Sequence, residues 1–119
     1  MKFILLSLLL FIITLPIFSA EISHVKQLFN TPIFDKMKLK YKQCVLVQGA
    51  QFAKVSTPQE AIKFAPIACK RELLAIKKFF LNSAFKQSVI QGLITSIKEG
   101  VEIDLVKTVY NERLKFLKN

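Results

Sequence analysis

Apolar residues recur along this chain at two periods, and the change from one to the other divides it. From residue 41 onward the spacing is helical. In YKQCVLVQGAQFAK, Tyr41, Cys44, Val45, Gln48 and Phe52 share a stripe at i, i+3, i+4, i+7 and i+11, which predicts an amphipathic helix over 41–54. Gln48, Ala50, Gln51 and Ala53 suit that helix better than a strand. VSTPQEA then carries the strongest local signal in the chain. Thr57 can cap a helix whose first position is Pro58, with Glu60 completing a capping box.

This second helix has Ala61, Ile62, Ala65, Cys69, Leu73, Ile76 and Phe80 on one stripe, widened by Leu74 and Phe79. Pro66 interrupts it, removing a hydrogen bond and crowding the preceding turn, so a kink or break is expected near residues 64–65. After Asn82 and Ser83, Phe85, Val89, Leu93 and Ile97 form a third stripe, with Gly100 as a left-handed stop. Asp104 can cap a last helix with Leu105, Val106, Val109, Tyr110 and Leu117 inward. Lys115 and Lys118 sit at its end, where cations suit the helix dipole.

Upstream the pattern differs. In KMKLKYK, Lys36, Lys38, Lys40 and Lys42 alternate with Met37, Leu39 and Tyr41. A period of two in an extended segment puts the four lysines on one side. Residues 21–40 are thus expected to be an N-terminal arm laid apolar side down across the helical domain, 41–119. A short helix over 22–29, with Val25, Leu28 and Phe29 inward, would precede the break at NTP. Residues 1–20, MKFILLSLLLFIITLPIFSA, have a lysine, an apolar run and a small-residue end, the pattern of a secretory signal peptide. Cleavage after Ser19 or Ala20, or retention as an anchor, are the alternatives. The expected location is periplasmic or secreted.

Export changes how the cysteines read. Cys44 and Cys69 are the only two, and in an oxidising compartment such a pair is normally bonded. Cys44 lies about 15 Å before the end of the first predicted helix and Cys69 about 16 Å into the second. The short connection between the helices makes them antiparallel, so the two sulfurs meet at similar heights. The chain therefore reads as all-α: a small bundle of four helices, five if 22–29 contributes one, with an antiparallel hairpin stapled by a Cys44–Cys69 disulfide. A redox role would want a close Cys-x-x-Cys pair. With His24 the only histidine, four nitrogen or sulfur ligands cannot be assembled, and neither metal nor other cofactor is expected.

Charge adds a direction. Eighteen Lys and Arg stand against eight Asp and Glu, a formal net charge of +10, which favours anionic surfaces such as acidic lipid, lipopolysaccharide or an acidic protein. The candidate anion-binding residues are Lys36, Lys38, Lys40, Lys42, Lys77 and Lys78, supplemented by Lys26 and Lys86. The bland alternative is that lysine stems cover apolar surface and keep a Phe-rich protein in solution. Nucleic acid is disfavoured, because the Phe spacing matches core stripes and no recognition motif is present.

Catalysis finds little support. No nucleophile elbow, phosphate loop or zinc-protease motif occurs. Glu99, Glu102 and Asp104 are the one carboxylate cluster that could suggest glycoside hydrolysis, and capping explains them more simply. The expectation is a small exported basic helical protein, not an enzyme, acting by binding an envelope protein or an anionic component. The alternatives are a membrane-active or lipid-binding bundle and a periplasmic stress chaperone. In size and architecture the chain is similar to small single-disulfide acid-stress chaperones of the periplasm, without a shared motif.

Overall fold

The computed structural model describes residues 30–119. The signal peptide, the short helix at 22–29, Lys26 and His24 lie outside the described residues. Four helices follow: α1 (Pro32–Val55), α2 (Pro58–Ala68), α3 (Lys70–Leu81) and α4 (Gln87–Leu117). Among the described residues there is no strand, and residues 35–119 pack as one unit.

α1 begins nine residues earlier than its apolar stripe suggests. The stretch 36–42 is helical, not extended. The reason is local: the Thr31 hydroxyl accepts a hydrogen bond from the Phe34 N–H at 3.4 Å, and Pro32 opens the helix with Asp35 in its first turn. Once the chain enters as a helix, the period-two alternation no longer decides the face. Tyr41, Val45, Gly49 and Ala53, spaced by four, form the buried line instead.

The same Thr-Pro grammar starts α2. Thr57 accepts from the Glu60 N–H at 3.2 Å, and the Thr57 N–H returns a bond to the Glu60 carboxylate at 3.0 Å, the expected capping box. The interruption anticipated near residues 64–65 falls at Cys69, whose φ of −101° and ψ of 18° leave the helical region. Ala65 stays helical and fully buried. The break coincides with the disulfide: Cys44 and Cys69 are bonded, with Cα atoms 5.9 Å apart. That lies within the ordinary range for a disulfide, reached because both residues face the seam between their helices.

The two helices expected after Asn82 are one. α4 runs 31 residues through Gly100 and Asp104, and no glycine adopts positive φ among the described residues. Glycine in a helix interior costs about 1 kcal/mol. Burial of Ile90, Ile94, Val101, Leu105 and Val109 along one continuous line contributes roughly 1.5–3 kcal/mol per side chain, which outweighs that cost. The expected stripe was displaced by one position at its start, since Val89 is 47% exposed while Ile90 is buried. Val106, Tyr110 and Leu117, expected inward, face out.

Contacts along α1 and α4 fix their relative direction. Lys42 meets Asp104, Gly49 lies against Leu105 and Val109, and Arg113 donates to the Ala53 carbonyl at 3.4 Å. Positions rise together, so α1 and α4 run parallel, with the interrupted α2–α3 arm descending between the two connections. A Cβ added to Gly49 would collide with Leu105 Cδ1; the missing side chain is what lets these helices approach. At the far end, Phe80 stacks edge-on with Phe79 at 5.2 Å and meets Phe85 at 6.1 Å, closing the turn into α4.

Candidate anionic-surface interface

α3 is amphipathic in an unusual way. Ile76 and Phe80 are buried and hold the helix to the bundle. The opposite face carries Lys70, Arg71, Lys77 and Lys78 with Leu74 and Leu81. At 100° per residue these six side chains fall within an arc of roughly 120°. They form three rows of period seven. Lys70 and Lys77 make one edge, Arg71 and Lys78 the other, and Leu74 and Leu81 run between them. The leucines are 50% and 49% exposed, and the whole set borders a shallow open depression of 730 Å³.

No acid interrupts this face. Glu72, the single carboxylate of α3, projects to the side of the disulfide. Its oxygen, Cys44 Sγ and Cys69 Sγ lie within 4.8 Å of one another; the sulfurs are bonded together, so neither is a thiolate able to ligate a metal. Among the described residues the ion pairs are Lys38–Asp35 at 2.9 Å, Lys42–Asp104 at 2.5 Å and Lys115–Glu112 at 2.6 Å. None involves the four cations of the α3 face.

The structure separates the lysines that the sequence grouped. Lys77 and Lys78 join Lys70 and Arg71 on one face. Lys36, Lys38, Lys40 and Lys42 are distributed around α1, because a two-residue step turns a helix by about 200°. Lys38 and Lys42 are additionally neutralised by their acid partners. Lys86 stands at the start of α4, exposed. Lys70 and Arg71 were missed, although the i, i+7 repetition of Lys-Arg and Lys-Lys around Leu74 was visible in KRELLAIKK.

A second concavity, a cleft of 400 Å³, lies between α1, α2 and α4. Tyr41, Val45, Ile62 and Val101 line it with Lys63, Lys98 and Glu102. Burial pushes the Tyr41 phenol up from its ordinary range, and the Glu102 charge adds to this. Of the acidic cluster, Glu102 alone lines this cleft. Asp104 is turned to Lys42, whose hydrogen bond and charge draw its carboxyl below the usual range. Asp104 is thus engaged by Lys42 and does not line the cleft with Glu102.

Comparison of the chain with known protein families, with characterised proteins and with solved structures finds no match. The site's reading rests on its own geometry.

Proposed function

We propose that this is an exported, non-enzymatic protein that binds an anionic component of the cell envelope through the outer face of α3. One observation carries the reading: Lys70, Arg71, Lys77 and Lys78 gather on a single exposed arc with no acid among them. A cluster of one sign on a preformed helix raises the local concentration of the opposite charge and speeds encounter. The Cys44–Cys69 bond is compatible with an oxidising compartment outside the cytoplasm. No described helix is long and apolar enough to cross a membrane.

Retention of the exported protein on immobilised heparin, a soluble polyanion, tests the charge reading when run against a salt gradient. The native protein should bind at low ionic strength, and the protein with Lys70, Arg71, Lys77 and Lys78 replaced by Gln should elute at lower salt. Equal retention of native and substituted protein would refute the assignment.

A second reading, binding of another protein, is favoured by the outer side of α4. Ile103, Val106, Tyr110, Leu114 and Leu117 lie there at helical spacing and are 38–81% exposed, and exposed apolar lines of this kind mark interaction surfaces. Suppression of the aggregation of a denaturing client, lost on replacing Tyr110 and Leu114 with Ser, would support it.

A further inference from the structure

We infer that the anionic partner is a lipid bilayer surface, and that α3 lies along it with Leu74 and Leu81 inserted between the headgroups. This rests on the charge reading above and adds the identity of the partner. A soluble polyanion needs only the cations; it gives no reason for two leucines on the midline between the cationic rows.

Three features fit a bilayer. Leu74 and Leu81 are two turns apart on one line and half exposed, so both reach the same plane. Lys70 and Lys77 flank them on one side, Arg71 and Lys78 on the other. Their aliphatic stems can follow the leucines inward while the charged ends stay level with lipid phosphates. The helix is also preformed: Ile76 and Phe80 are sealed into the bundle, so binding does not have to order α3 first, the cost that penalises disordered amphipathic segments. The charge pattern specifies the lipid, since cations on both edges without a carboxylate between them complement anionic headgroups and offer nothing to counter a zwitterionic one.

The chain contains no tryptophan, so Leu74→Trp reports on this face alone. The exported variant is titrated with vesicles of phosphatidylglycerol and phosphatidylcholine, with pure phosphatidylcholine vesicles, and with heparin. On the anionic vesicles its emission should shift to the blue and be quenched by lipids brominated high in the acyl chain. Phosphatidylcholine alone should leave it unchanged. Leu74→Ser/Leu81→Ser, checked for helicity by circular dichroism, should partition onto anionic vesicles roughly tenfold more weakly or worse, with its heparin binding intact. Heparin binding without vesicle binding, or vesicle binding with unshifted emission, would overturn the insertion while leaving the charge reading in place. Failure to bind either anion overturns both.

Discussion

The lysines of α1 and the cations of α3 make an instructive pair. Each helix carries four within nine residues or fewer, yet one set is dispersed and the other concentrated. In α1 the step of two sends Lys36 and Lys40 to one side and Lys38 and Lys42 to the other, where Asp35 and Asp104 meet them. In α3 the steps of one and seven keep Lys70, Arg71, Lys77 and Lys78 on a single face around Leu74 and Leu81. The same number of charges is therefore dispersed and half neutralised in one place and gathered on one unpaired face in the other. Net charge says nothing about which; position in the helical frame decides it.

The contrast is most exposed to a paired charge removal. Replacing Lys70, Arg71, Lys77 and Lys78 with Gln should weaken binding to anionic vesicles by about 4 kcal/mol at low salt, near a thousandfold, at about 1 kcal/mol per cation close to the surface. The corresponding change at Lys36, Lys38, Lys40 and Lys42 should cost about tenfold or less. Vesicle co-flotation measures both.

The staple comes next. Cys44→Ser/Cys69→Ser should lower stability to denaturant by about 3.5 kcal/mol in the chain-entropy account, read from urea unfolding. Because α3 starts one residue after Cys69, vesicle binding should weaken with it, whereas α1 keeps its own cap. The glycines give a smaller and more selective effect. Gly49→Ala drives a Cβ into Leu105 and should cost about 1–3 kcal/mol. Gly92→Ala and Gly100→Ala, where nothing lies within 4 Å, should stabilise by about 0.5–1 kcal/mol. All three should leave the α3 surface and its binding unchanged.

The smallest effect is titration of the α1 ion pair. Asp104 has a folded pKa below its unfolded value, first through the hydrogen bond from Lys42. Its contribution is therefore present above the unfolded pKa of about 3.9 and fades as pH falls through the folded value. Thermal melts of native protein and Asp104→Asn should differ slightly at neutral pH and converge in acid.

How much of this was legible beforehand depends on the range of the interaction involved. The helical class, the Thr57–Glu60 box and the paired cysteines were readable because each is settled by a few neighbouring residues or by the absence of other partners. Thr31-Pro32 carried the same start signal as Thr57-Pro58, but the alternation at 36–42 argued for an extended chain. The burial of Tyr41, Val45 and Gly49 settled it for a helix. Gly100 looked like a stop because a lone glycine is a local signal, whereas the line from Ile90 to Val109 that carries α4 through it is tertiary. Gly49 could not be read at all: its role exists only where Leu105 presses against it. Of the α3 face, Lys77 and Lys78 were picked out for their charge, while Lys70 and Arg71 needed the helical frame to join them.

Mass-spectrometric footprinting of lysine amines during binding to phosphatidylglycerol-containing vesicles tests the central claim most directly, since it reads both helices in one molecule. Acetylation of Lys70, Lys77 and Lys78 should slow on the vesicles while Lys36 and Lys40 react as in free protein. Protection of the α1 lysines instead, or uniform protection of both sets, would contradict it.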